Sequence, residues 1–302
     1  MTPATVNPPK KIELNIAGYE IHAIPTGLFA LDGGAMFGTV PKALWQKTNP
    51  ADSLNRIQME ARALLLVSPV KKILIDTGNG TDFIAKYGEK AGTKFAEIYG
   101  VNSEGVSLES SLAAQGLSTS DITDVILTHL HFDHAGGATK SVNGKIVPTF
   151  ENATYHLQKA NYETALHPNI REKASYLKAN FEPLIAAGIL KLIDGPQKNY
   201  MPGISLFVSN GHTVGHQVVI IEDVNAQLFY CGDVIPTSTH IRSAWIMGYD
   251  LEPLKIIQEK SALLNLTEGK TSYLFFEHDP YCDVATVEKS NDDFKAKERF
   301  LL

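Results

Sequence analysis

Cysteine is nearly absent: Cys231 and Cys282 are the only two in 302 residues. Two thiols cannot build a disulfide framework and supply no thiolate metal cluster, so a reduced, cytoplasmic protein is the simplest reading. Long apolar runs are missing as well. None approaches the roughly 20 residues of a membrane span. Met1–Asn15, with three prolines and two lysines, has no apolar core of the kind a secretory signal needs. There is no basic excess either: Lys plus Arg is 27 against 33 Asp plus Glu, a net charge of −6. This balance argues against a nucleic-acid partner, whose phosphates call for a basic patch. The chain also lacks a repeat of solenoid period and a Gly-x-Ser-x-Gly nucleophile elbow.

What is present is ordinary globular material, 44% hydrophobic and 20% charged. Residues 1–12 are polar and Pro-rich and read as a flexible arm. No later loop is linker-like, so residues 13–302 read as a single domain. Strand character appears at Glu20–Ile24, Ala63–Val67, Lys72–Ile75, Val125–Leu127, Ser205–Val208, Val218–Ile221, Gln227–Tyr230 and Tyr273–Phe276. Helices are expected over Ser107–Gln115 and Leu254–Leu264. Residues 155–190 read as two or three helices interrupted by Pro168 and Pro183. Gly33–Gly38 reads as a mobile, partly apolar loop. Strands in two groups, each followed by helices, point to two packed sheets with helices outside.

The densest chemistry is His129-Leu130-His131-Phe132-Asp133-His134. Three imidazoles and a carboxylate within six residues are nitrogen and oxygen ligands of the kind catalytic zinc takes. The cluster leaves the Val125–Leu127 strand and meets Gly136-Gly137, where backbone can approach closely. Further ligand-type residues follow three later strands: His212, Asp233 after Cys231-Gly232, and His278 between Glu277 and Asp279. Together these groups support a dinuclear site.

Thr128 to His134, followed in order by His212, Asp233 and His278, resembles the metallo-β-lactamase superfamily. Ile75-Asp76-Thr77-Gly78 resembles its first motif. The resemblance implies a four-layer αβ/βα sandwich with the metals at the edge between two sheets. It implies that His129, His131 and His212 hold one ion and that Asp133, His134 and His278 hold the other. Asp233 then bridges them, and Asp76 orients a ligand histidine. Two divalent ions roughly 3.5–4 Å apart share a hydroxide at neutral pH, which would be the nucleophile, with Asp133 and Asp233 as the catalytic carboxylates. Zinc is the expected metal, and manganese, cobalt or iron also suits the donor set.

By that resemblance, His131 stands where oxygen-reducing diiron members carry Glu, which favours hydrolysis over redox, and Asp133, His278 and an Asp rather than Cys at 233 look unlike the zinc β-lactamases that use a thiolate. Gly211 to Gln217, His278-Asp279 and Gly232 to Thr237 resemble the N-acyl-homoserine lactonase and methyl parathion hydrolase neighbourhood. The expected reaction is therefore opening of a lactone or cleavage of a related ester, and the alternative is phosphotriester or phosphodiester hydrolysis. A non-catalytic metal-binding protein is the reading from a different class. The lactonases carry a tyrosine three residues after the bridging aspartate; here that residue is Pro236. His216 reads as a support or strand cap. Met36, Phe37, His240, Trp245, Met247 and Tyr249 read as pocket wall for a small-molecule substrate with an apolar portion. No membrane partner is expected, and the resemblance leaves a homodimer open.

Overall fold

The computed structural model describes residues 8–101, 105–291 and 293–302. One sheet has seven strands, in the spatial order Leu190–Ile193, Thr154–Gln158, Asp124–Ile126, Lys72–Ile75, Arg56–Val67, Tyr19–Asp32 and Leu14–Ile16. The other has eight: Lys10–Lys11, Asp293–Leu301, Val284–Ser290, Thr271–Phe275, Ala226–Tyr230, His216–Glu222, Ile204–Ser209 and Gln197–Met201. Strand side chains alternate between faces, and the apolar residues obey that period. Leu64 and Leu66 point into a core shared with Val219, Leu228 and Phe275 of the second sheet. Their neighbours Ala63 and Leu65 point outward to a second core.

Helices close both outer faces. Leu108–Ala114, Lys159–Leu166 and Glu182–Ala186 bring Leu108, Leu112, Ala165 and Leu184 onto the first sheet. Pro253–Asn265 brings Ile256, Leu263 and Leu264 onto Val218, Phe229 and Leu274 of the second. Full burial of each leucine, isoleucine, valine or phenylalanine among these contributes about 1.5–3 kcal/mol. The result is the expected sandwich of helix, sheet, sheet and helix, the metallo-β-lactamase fold.

Strand direction then decides where chemistry can sit. Lys72–Ile75, Asp124–Ile126 and Thr154–Gln158 run parallel, as do Ala226–Tyr230 and Thr271–Phe275. Ile204–Ser209 lies two antiparallel steps from Ala226–Tyr230 and so shares its direction. Loops at the carboxyl ends of like-directed strands collect on one edge, the usual place for a ligand site in such sheets. Asp76, His129, His212, Asp233 and His278 all lie just beyond such ends.

Three local expectations are corrected. The arm expected over residues 1–12 is shortened, because Lys10–Lys11 pairs in parallel with Phe300–Leu301 and Ile12 N donates to Leu301 O at 2.9 Å. Ladder pairing uses backbone only, so two exposed lysines gave no sign of it; residues 1–7 lie outside the described residues. Gly33–Phe37 is a short helix, capped by Asp32 Oδ1 accepting from Ala35 N, with Met36 and Phe37 fully buried. The stretch 155–190 is bounded by strands Thr154–Gln158 and Leu190–Ile193. Residues 155–158 are buried on both faces, which removes the polar alternation that marks a half-exposed strand.

The histidine loop is locked against the end of the neighbouring strand. Thr77 N and Thr77 Oγ1 both donate to His134 O at 2.8 Å, and Gly137 N donates to Gly78 O at 3.0 Å. A Cβ on Gly137 would lie 2.2 Å from Thr77 O, so only glycine permits this approach. Gly137→Ala is therefore expected to lower stability by about 1–3 kcal/mol through overpacking. Urea unfolding checks this, and an unchanged midpoint would contradict the role given to the contact.

Candidate metal centre

The loops bring the seven ligand-type residues together in two adjoining groups. One nitrogen or oxygen each from His129, His131, His212 and Asp233 lies within 4.8 Å of the others, and the same holds for Asp133, His134 and His278. Asp233 faces both groups. Its Oδ2 is 3.1 Å from His212 Nε2 and 3.9 Å from His129 Nε2, while its Oδ1 is 3.2 Å from His278 Nε2. Asp233 Oδ2 also lies 3.6 Å from His134 Nε2. All seven residues are buried.

Three imidazoles, those of His134, His212 and His278, are held by the nitrogen that faces away from the centre. Asp76 Oδ2 accepts from His134 Nδ1 at 3.0 Å, while Thr128 N and Oγ1 donate to the same carboxylate at 2.7 and 2.6 Å. Asp250 Oδ1 lies 3.0 Å from His212 Nδ1, and its Oδ2 accepts from Met247 N at 2.8 Å. His278 Nδ1 donates to Glu60 O at 3.0 Å. Such outer partners fix ring orientation and tautomer. His131 is reversed: its Nδ1 faces His212 Nε2 at 3.2 Å, and its Nε2 points to Glu172 at 3.8 Å.

The inward atoms show that this cluster suits cations. His129 Nε2 and Asp233 Oδ1 are buried without a hydrogen-bond partner among the described residues. His278 Nε2 faces His134 Nε2 at 3.3 Å, two ring nitrogens contesting one proton. Burial, reinforced by the surrounding imidazoles, holds His129 well below the usual histidine pKa. At His212 burial also opposes charge, but Asp233 and Asp250 outweigh it and raise the pKa to about 10. Imidazole nitrogens converging beside buried carboxylates are the donor set of divalent ions, whose binding would displace the ring protons that the carboxylates favour at His212.

A third group, Asp76, His134 and Glu277, also lies within 4.8 Å. Its common atom is His134 Nδ1, with Glu277 Oε2 at 2.8 Å beside the Asp76 contact. Burial pushes Glu277 up to about 8, and Tyr230 OH donates to its Oε2 at 2.6 Å. These groups hold the back of His134.

His216 also supports the site. Its Nε2 accepts from Asp233 N at 3.0 Å, a contact available because Gly232, at φ 50°, has no Cβ to meet that nitrogen. The helix Pro253–Asn265 braces two site loops at once. Glu259 Oε2 accepts from Ser209 Oγ and Gly211 N at 2.7 and 2.9 Å, ahead of His212. The buried Lys260 Nζ donates to the carbonyls of His240, Arg242 and Trp245 at 3.0, 3.1 and 2.7 Å, ahead of Met247–Asp250.

The centre forms the floor of a cavity of about 330 Å³. Met36, Met247 and Tyr249, read in the sequence as pocket wall, are among the residues that line it. Phe37, His240 and Trp245 stand behind the wall. Phe37 is stacked between Trp45 and His240, with centroids at 5.4 and 4.6 Å, and Trp245 meets its edge. His240 is a packing residue: Nε2 donates to Met36 O at 2.9 Å, and burial lowers its pKa to about 3. The remaining wall includes Leu31, Met59, Tyr99, Arg171, Glu172 and Ser175, which no sequence pattern marked.

Because Asp233 faces both groups, Asp233→Ala is expected to remove at least one ion and to abolish hydrolysis. Metal analysis of the purified variant checks this. A fully loaded, fully active variant would sink the assignment of Asp233 as the shared ligand.

A profile of the Metallo-beta-lactamase superfamily matches residues 61–278. An N-acyl homoserine lactonase of Bacillus thuringiensis is 31% identical over 264 residues, covering 86% of this chain and 93% of that protein. A probable metal-dependent hydrolase from Staphylococcus aureus superposes with a TM-score of 0.84 at 30% identity, covering 96% of this chain and 99% of that one. AidC, a dizinc quorum-quenching lactonase, superposes at 0.73 with 21% identity, covering 98% and 100%, a likeness of fold alone. No helix among the described residues is long and apolar enough to cross a membrane. The profile covers most of the chain and the ligand-bearing loops lie within it: the protein belongs to the metallo-beta-lactamase superfamily and is a hydrolase that uses divalent metal.

Proposed function

We propose that the protein is a dinuclear hydrolase, with zinc as the resident ion, that opens lactones of the N-acyl-homoserine type or cleaves related esters. The observation that carries this reading is Asp233, shared between two ligand groups at the floor of a cavity with apolar walls. Two divalent ions held there would supply hydroxide at neutral pH and polarise the carbonyl oxygen under attack. The 31% identity to an N-acyl homoserine lactonase over most of both chains supports the substrate class.

The chain's own residues do the rest. Asp233 fixes the spacing of the two groups. Asp133 is buried yet reaches the cavity, with Oδ2 3.7 Å from His278 Nε2, and is placed to pass a proton to the leaving oxygen. Met36, Met59 and Met247 present apolar surface to the substrate and keep bulk water from its acyl portion. Pro236 has no hydroxyl to offer; its carbonyl accepts from His278 N at 3.1 Å and so holds a ligand residue. Tyr99, Ser175 and Tyr249 line the cavity, and a hydroxyl from one of them would take over the contact to the substrate carbonyl.

Pro236 also favours a second reading, hydrolysis of phosphotriesters, in which no tyrosine need meet a carbonyl. A parallel screen of metal-loaded protein on lactones, aryl esters and phosphotriesters separates the two. The expected result is lactone turnover that a chelator abolishes and added zinc restores. Phosphotriester turnover without lactone turnover would replace the first reading with the second. Inactivity on all three at full metal loading would favour a binding protein.

A further inference from the structure

A guanidinium that does not line the metal cavity is buried on an otherwise apolar face. Side chains two apart on a strand share a face, so Glu60 and Arg62 stand beside Leu64 and Leu66 on the side that meets the second sheet. Arg62 is only 3% exposed, and arginine is almost never buried so deeply without partners. Its partners converge on one turn. Nη1 donates to Phe276 O at 2.9 Å and to Asp279 O at 3.1 Å, the carbonyls that bracket Glu277-His278. Nη2 donates to Glu60 Oε2, and Nε lies 3.2 Å from Asp283 Oδ1. The same strand supplies the Glu60 carbonyl that accepts from His278 Nδ1. Tyr230 OH lies 3.0 Å from Arg62 O and 2.6 Å from Glu277 Oε2. Asp279 extends the connection, its Oδ2 accepting from Ser238 N at 2.8 Å in the loop that follows Asp233.

A buried ion pair adds little net stability over apolar packing, because desolvation offsets most of the attraction. What the guanidinium supplies instead is geometry, a planar fork whose donors point in fixed directions. We propose that Arg62 is a positioning residue that holds the Phe276–Asp279 turn at one distance from the Glu60 carbonyl, and so aims Nε2 of His278 at the group formed with Asp133 and His134. The proposal rests on the dinuclear reading above, which gives the second ion to that group. It adds a residue that touches neither the ligand-type atoms nor the cavity. Lysine at this position keeps the charge, but a compact ammonium cannot span both carbonyls and both carboxylates.

Two measurements test this: zinc affinity by competition with a chelator, and water exchange of the His278 Nδ1–H by proton NMR of the zinc-loaded protein. The NMR signal is assigned by its loss in His278→Gln. One variant is Arg62→Lys. Loss of Arg62 alone would strand two buried carboxylates, so the second combines Arg62→Met with Glu60→Gln and Asp283→Asn. In both, one ion is expected to bind about 10- to 100-fold less tightly while the other is held as in the wild type. The Nδ1–H is expected to exchange faster by a similar factor. Unchanged affinities and an unchanged exchange rate in the folded variants would overturn the positioning role. Equal weakening of both ions with unaltered exchange would overturn it as well, since that marks a general loss of stability. A wild type that holds a single ion would count against the dinuclear reading alone, and the exchange rate would still decide the role of Arg62.

Discussion

Asp233 is the interaction on which the rest of the structure depends. Its carboxylate is buried among four imidazoles, with Nε2 of His212 and His278 at 3.1 and 3.2 Å. Burial alone would favour the neutral acid, but His212 and His134 reverse this and hold Asp233 well below the usual carboxylate range. A buried charge is costly unless it is paired. Asp233 therefore stays ionised only while the surrounding rings stay in place, and the surrounding contacts can be read as means of keeping them there.

Those means come from the whole sandwich. Like-directed strands in two sheets deliver Asp76, the histidine loop, His212, Asp233 and His278 to one edge. Helix Pro253–Asn265 then braces the second sheet's loops through adjacent residues of opposite charge. Glu259 collects backbone and hydroxyl donors before His212, and Lys260 collects three carbonyls before Met247–Asp250. Asp250 links the two loops by touching His212 and Met247 together. One helix thus couples the His212 loop to a cavity wall, which ties the shape of the cavity to the geometry of the ligand-type residues.

The placement of the ligand-type residues was largely legible in the sequence. Strand runs ending in His or Asp turns carry the pattern directly, because ligands must leave rigid elements and must be of few residue types. Asp76 was legible for the same reason. The cavity wall was not. Met36 and Phe37 are neighbours on one short helix, yet Met36 reaches the cavity and Phe37 stacks on Trp45 and His240. Which of two adjacent apolar residues faces a cavity depends on tertiary packing, and two glycines concealed the helix itself. Glu172 and Lys260 left no trace either: a buried charge in a loop or helix resembles a solvated one until its partners are known. The strand at Thr154–Gln158 was hidden because both its faces are covered.

The central claim is that Asp233 is shared by two ions. Anomalous diffraction from crystals of zinc-loaded protein tests it most directly. Two peaks roughly 3.5–4 Å apart are expected, one among His129, His131 and His212, the other among Asp133, His134 and His278, with an Asp233 oxygen beside each. A single peak, or a second peak between Asp76 and Glu277 behind His134, would contradict it.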